Sequence, residues 1–344
     1  MRSSDDYSTF SKKKMTQLQF DLDASAPLDQ TLSLEDMAQA LSAHPDYKVK
    51  RRLVPKLDFG PASGAAITRM LILDTETTGL DYKTEKIIEL AMLAVDIDLQ
   101  TGLPVGPVEI YEGFEDPCRP ISPEITQLTG ITDADVTGQH LNEAKVQDMV
   151  ARADLIVAHN AAFDRPFVEA RLEVFESKPW ACSFAGIDWK AQGRGSAKLE
   201  FLASECGLFY DAHRAQVDCH AVLQVLLAPL KAVKTSGQFQ VAGASQASTG
   251  LLQLIASAQN PRTVLRATGS PFESKDKLKA RGYRWDAEGR VWSCNLKSQE
   301  ALDAECEWLK AQVYGGRAVR LQLEIQDSRV QFSNRPGKAS DRIL

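Results

Sequence analysis

The sequence predicts an α/β protein: a mixed β-sheet flanked by helices, with a helical N-terminal extension and a small α+β C-terminal domain. Two patterns predict it. Three strand-length apolar runs precede an alternation of helices and short strands between residues 68 and 232. A Gly/Ser/Gln-rich stretch, VKTSGQFQVAGASQAST (residues 233–249), then reads as a linker to a smaller unit at 250–344. A length of 344 residues suits about two domains.

Residues 1–67 form the extension. The first 30 or so are polar and read as mobile. LEDMAQALSAHPDYKVKRRLVP (34–55) reads as an amphipathic helix, a turn at His44–Pro45, and a basic stretch. GPASGAA (60–66) is a loop. The strands of the main block are RMLILDTET, KIIELAMLAVDID and PVEIYEGFEDP. TGITDADV is a turn-rich connection. EAKVQDMVARA is helical, DLIVAHN is a short buried strand, and AAFDRPFVEARLEVF is helical. KPWACSFAG is a strand, AKLEFLASECGL is a helix stopped by Gly207, and VDCHAVLQVLLAPLKAV is the last helix.

Composition narrows the function classes. Hydrophobic content of 44% supports a sizeable core, yet no apolar run reaches the ~18 residues that span a bilayer. The N-terminus lacks the apolar centre of a secretory signal, and Met15 offers an alternative start. None of the six cysteines forms a C-x-x-C pair, which argues against zinc and disulfides and for a reducing cytoplasm. A net charge of -6 gives no overall attraction to nucleic acid, although bound cations can invert the sign of a carboxylate-rich site.

LDTETTGLD (73–81) poses the chemical question. Residues i and i+2 of a strand share a face, so Asp74 and Glu76 project together. Burying two like charges is costly, and an oxygen-seeking divalent cation removes the cost. A surface pair at a strand end is the competing account. AHNAAFDRPF places Asp164 one turn into a helix, and HRAQVDCHA places His213 in a loop and Asp218 at a helix start. Each has a plain explanation alone: dipole complementarity for Asp218, an N-cap for Asn160, an ordinary loop residue for His213.

As an ordered set, D-x-E, N-x-x-x-D and H-x-x-x-x-D resemble the DEDDh 3′–5′ exonuclease superfamily. DTETTGLD, KIIELAMLAV, ISPEITQLTGIT, HNAAFDRPF and HRAQVDCHA are similar to the exonuclease (epsilon) subunit of bacterial DNA polymerase III, over about residues 68–232. The resemblance implies an RNase H-like fold and hydrolysis of terminal phosphodiesters of DNA, releasing nucleoside monophosphates in proofreading or repair. It implies two divalent ions, Mg²⁺ or Mn²⁺, held by Asp74, Glu76, Asp164 and Asp218, with Asp74 bridging. His213 would be the general base, a role that suits an imidazole. Thr77, Thr78, Gly79 and Leu80 would seat the terminal nucleotide, with a turn glycine as the alternative for Gly79, and His159 and Asn160 would line the cleft, with a structural place equally open for His159. Glu89 matches a family acid, with an exposed strand charge as the alternative. Phe163 reads as core, and Asp81 as a solvated turn residue. RNA 3′-end trimming and a scaffolding polymerase subunit are the competing functions.

In the C-terminal unit, SKDKLKARG reads as a basic helix closed by Gly282, and YRWDAEGRVWSC as a hairpin. They resemble a small domain appended to several bacterial DNA-processing proteins. Lys275, Lys277, Lys279, Arg281 and Arg284 suit phosphate contacts, against a solvated face as the alternative. Trp285 and Trp292 read as core. RAVRLQLEIQDSRVQF (317–332) suggests two more strands. QLQFDL (17–22) faintly resembles a sliding-clamp peptide, against chance similarity; a polymerase or clamp is the partner it would imply.

Overall fold

The computed structural model describes residues 32–231 and 248–344. The clamp-like QLQFDL stretch and nearly all of the expected linker lie outside the described residues. The chain divides after Val49 into two units. In the first, Ser33 caps helix α1 (Leu34–Ala43) by accepting from the Asp36 amide at 3.1 Å, while the Asp36 carboxylate accepts from the Ser33 amide at 3.2 Å. Leu34, Met37 and Leu41 share one exposed face of this helix.

The second unit begins with β1 (Arg51–Arg52), then β2 (Ile67–Thr77), β3 (Ile87–Asp98) and β4 (Pro104–Phe114). Two short helices follow, α2 (Pro123–Thr129) and, within the turn-rich TGITDADV connection, α3 (Asp133–Val136). Ser122 caps α2, Pro123 opens it, and Gly130 at φ +74° ends it. There follow α4 (Glu143–Arg152), β5 (Leu155–Ala158), α5 (Ala161–Arg171), β6 (Trp180–Cys182), α6 (Leu199–Glu205), β7 (Leu208–Phe209), α7 (Ala215–Leu227) and β8 (Pro229–Leu230). After the gap come β9 (Ser248–Thr249), α8 (Gly250–Ala258), β10 (Arg262–Ala267), α9 (Lys275–Ala280), β11 (Arg284–Asp286), β12 (Val291–Leu296), α10 (Gln299–Gln312), β13 (Arg320–Gln326) and β14 (Lys338–Ile343).

The main sheet has the order β4-β3-β2-β5-β6. β2–β3 and β3–β4 are antiparallel; β2–β5 and β5–β6 are parallel. This is an RNase H-like mixed sheet flanked by helices. β2 and β3 are near-continuous apolar runs because both faces are covered. Met70 and Ile72 pack with Leu93, Val95 and residues of α6 and α7, such as Leu202, Val222 and Leu226. Leu71 and Leu73 pack with Leu90, Met92 and residues of α4 and α5, such as Val146, Met149 and Val168. Acids at the end of β2 therefore emerge from the middle of a rigid core.

The second sheet, β11-β12-β10-β13-β14, is antiparallel, with a core that includes Leu265, Leu278, Leu309, Tyr314 and Leu321. Trp292 packs against this core, but Trp285 lies on the edge strand and is 52% exposed, which corrects its reading as core. The expected pair of tail strands is a single strand, β13, followed by turns. Helix α8 belongs with the first core: Leu251 and Leu254 are fully buried among residues of α7 and the main sheet. Gly250 is needed there, since a Cβ would lie 3.1 Å from the Leu226 backbone.

Arg165 explains why the tail turns. It is fully buried on α5, with its guanidinium 5.1 Å from the Trp180 ring centroid. It donates to the carbonyls of Ser328 (3.2 Å), Gln331 (2.6 Å) and Arg329, and to the Glu169 carboxylate (2.7 Å). The Trp180 amide donates to Ser328 O at 2.8 Å, so residues 327–335 lie along the outer edge of β6. Burial lowers the Arg165 pKa to about 10, which leaves it charged at neutral pH. Ser333 and Arg335 donate to Glu169 from the same segment.

Two substitutions test these anchors in urea unfolding of the whole chain. Leu254→Ala should lower the unfolding free energy by about 2–5 kcal/mol through a cavity in the core of the main sheet. Arg165→Met should lower it by about 3 kcal/mol, by stripping a buried carboxylate and three carbonyls of their donor.

Candidate active site

β2 carries Asp74 and Glu76 on the face that meets α7, with Thr75 on the other. A bulge between Glu76 and Thr77 ends the regular ladder there. Asp218 enters from the first turn of α7, and one oxygen each from Asp74, Glu76 and Asp218 lies within 4.8 Å of the others. Asp164, in the first turn of α5 and 2% exposed, stands outside this triad. Its Oδ1 accepts from the Thr75 amide (3.1 Å) and hydroxyl (2.8 Å). Thr75 carries no motif of its own in the sequence; its place between the two acids puts it on the opposite strand face.

The electrostatics are those of crowded anions. Burial pushes the Asp74 carboxyl well above the usual range, reinforced by Asp164, Asp218, Glu76 and Glu89. Burial, then Asp218, Glu89 and Asp164, push Glu76 up to about 8, with Arg214 opposing. Burial also raises Asp164, while the Thr75 bonds pull it partly back. Asp218 is raised by burial and relieved by the His213 amide, which donates to its Oδ2 at 2.8 Å. The Tyr210 hydroxyl beside Asp218 lowers it more than that amide does.

An all-oxygen set under mutual repulsion fits a hard divalent cation, whose charge inverts the local pKa logic. The Asp74, Glu76 and Asp218 cluster can hold a metal ion. His213 is exposed at its rim with φ +64°. A non-glycine residue in that region costs about 1–3 kcal/mol, so the surrounding contacts must hold it there.

The other expected site residues are distributed unevenly. Thr77 is buried, its hydroxyl donating to Gly79 O at 2.6 Å. The Thr78 hydroxyl donates to Glu85 at 2.6 Å and accepts from the Lys86 amide and Arg119. Gly79 makes its close approach to Glu85, whose Cγ would lie 2.9 Å from an added Cβ. Leu80 is 86% exposed. Asn160 sits at the start of α5 at φ +70° and makes no side-chain cap, contrary to the capping expectation. His159 is tied into the scaffold. Nε2 must donate to Ala197 O (3.0 Å), so Nδ1 accepts from the Ser183 hydroxyl (2.8 Å). Burial pulls its pKa down to about 4, so the ring is neutral and both nitrogens are engaged.

Glu89 is corrected too. It is fully buried, not an exposed strand charge, and stands opposite Glu76 across the β2–β3 ladder. Arg214 and the Ala215 amide hold it. Arg214 follows His213 directly in the sequence, but nothing local links it to Glu89.

Residues 71–226 match a family model described as an exonuclease. Over this stretch the chain resembles the DEDDh exonucleases and, among them, the epsilon subunit of DNA polymerase III. The chain is 29% identical over 165 residues to "DNA polymerase III subunit epsilon" of Treponema pallidum, covering 44% of this chain and 72% of that protein. It is 28% identical over 197 residues to "DNA polymerase III PolC-type" of Thermotoga maritima, covering 55% of this chain but only 13% of that protein. A solved structure, "Exonuclease X in complex with 5' overhanging duplex DNA", aligns at 27% identity with a TM-score of 0.36, covering 46% of this chain and 88% of that one. Among the described residues, no helix is long and apolar enough to cross a membrane.

The crowded carboxylates set a pH dependence. The folded pKa of Glu76, about 8, lies above its ordinary 4.5. Its contribution to stability is therefore present below pH 4.5 and is lost as pH rises through 8. Metal-free protein should accordingly lose several kcal/mol of unfolding free energy between about pH 5 and pH 9, and millimolar Mg²⁺ or Mn²⁺ should flatten the loss. Urea titrations across pH, with and without metal, measure both.

Proposed function

We propose that this chain is a metal-dependent 3′–5′ exonuclease that removes nucleoside monophosphates from DNA 3′ ends, in replication proofreading or repair. The observation that carries the reading is the cluster of Asp74, Glu76 and Asp218 oxygens within 4.8 Å, with Asp164 beside it and His213 at its rim. The DNA polymerase III relatives and the matched exonuclease family support DNA as the substrate.

In this reading Asp74, Glu76, Asp164 and Asp218 would hold two divalent cations, Mg²⁺ or Mn²⁺. Such a pair supplies charge neutralisation for the attacking and leaving oxygens of an in-line displacement. His213 accepts a proton from the attacking water as its oxygen bonds to phosphorus. The bond from phosphorus to the 3′ oxygen of the penultimate nucleotide breaks, and that oxygen takes a proton from solvent water to become the new 3′ hydroxyl. Its exposure lets His213 exchange the proton with solvent. Leu80 and the Thr77–Gly79 backbone seat the terminal nucleotide, and the engaged side chains of Thr77 and Thr78 keep that loop in shape. A polymerase or sliding clamp is the macromolecular partner this role calls for.

The test uses single-stranded DNA labelled at the 3′ or the 5′ end, mismatched duplex ends, and RNA. Labelled mononucleotide should appear at once from the 3′ label, more slowly from RNA, and not at all with EDTA or Asp74→Ala. His213→Ala should lower kcat by about 10²–10⁴-fold. Activity that survives both EDTA and Asp74→Ala would refute the mechanism.

A further inference from the structure

Glu89 and Arg214 have no role in the chemistry above, yet they join the two halves of the site. Glu89 stands on β3 directly across from Glu76. Its Oε1 accepts from Arg214 Nη2 at 3.1 Å, and its Oε2 accepts from the Ala215 amide at 3.0 Å. Ala215 is the first residue of α7, and Arg214 at the N-cap makes no side-chain cap of its own. A carboxylate from another element thus satisfies an orphan N–H of the helix, as a capping Ser or Asp does locally. Arg214 is held from two further sides, by Glu112 at 3.6 Å and by the Phe114 ring, whose centroid lies 5.7 Å from its guanidinium carbon.

His213 lies just before this grip, in its left-handed conformation, with its own amide tied to Asp218. It is bracketed by Asp218 and by Glu89 acting through residues 214 and 215. The remainder of α7 is anchored separately, through Cys219, Val222 and Leu226 in the core. Loss of the grip would therefore free the first turn and its preceding loop while the helix stays docked.

We propose that Glu89 is a positioning residue: with Arg214 it locks the start of α7 and so sets His213 and Asp218 against Asp74 and Glu76. This rests on the exonuclease reading. It assigns the buried carboxylate a purpose other than metal binding, and it makes the ion pair a determinant of turnover, with little influence on strand binding.

The experiment uses the full chain with Glu89→Gln, Arg214→Gln, Arg214→Lys and the double Gln variant. Steady-state kinetics on single-stranded DNA are measured beside hydrogen exchange and thermal melting. In Glu89→Gln, kcat should fall about a hundredfold with KM within about threefold, as expected for misplaced groups in a folded protein. Amides of residues 211–217 should exchange at least about tenfold faster, while those of β2 and β5 keep their protection. The double variant should be within about threefold of the worse single one, since one pair is being broken, and Arg214→Lys should lose less than Arg214→Gln. Unchanged exchange over 211–217, unchanged kcat, or a uniform rise in exchange across β2 and β5 would overturn the proposal. Should the wild-type chain degrade no 3′ end, the exonuclease reading fails, while the exchange comparison still decides whether the lock exists.

Discussion

Repulsion among buried carboxylates is the constraint around which the rest of the structure is arranged. Asp74, Glu76 and Asp218 converge within 4.8 Å, with Asp164 close enough to raise the Asp74 pKa further. Left to itself, such a group swings apart into water. The fully buried run Met70–Leu73 prevents this on one side, because β2 is the central strand with packed helices on both faces. The buried stretch of α7 prevents it on the other.

Local electrostatics offset part of what packing cannot. Asp164 and Asp218 both occupy the first turn of a helix, where unpaired amides and the helix dipole favour negative charge. Each also has a dedicated donor, the Thr75 amide and hydroxyl for Asp164 and the His213 amide for Asp218. Asp74 and Glu76 lie on a strand, which has little dipole to offer. They are the pair for which a cation makes the largest difference.

The second sheet is fastened to the back of the same machinery. Asp164 and Arg165 are neighbours on α5, one turned to the site and the other to the backbone of residues 328–331. Helix α8 fills the first core from the far side of the sheet. The C-terminal segment is thus knitted into the domain of the main sheet at two places.

By itself the sequence determined the main strands and the longer helices between residues 68 and 232, the order of the four acids, and the placement of Asp164 and Asp218 near helix starts. Apolar periodicity and helix-capping chemistry are local signals, and the site's acids sit where those signals change. Only the tertiary structure decided what meets what. Glu89 and Arg214 are 125 residues apart, and Arg165 is 163 residues from Ser328. Neither pairing leaves a trace in spacing or composition. The same holds for His159, for which the sequence leaves a cleft or a structural place equally open, and whose ring nitrogens are both taken by Ser183 and Ala197. Trp285 looked like core until strand order put it at a sheet edge. Period and propensity say which face a side chain occupies. Cross-strand register and helix docking say which group waits on the other side, and that depends on the packing of the whole core.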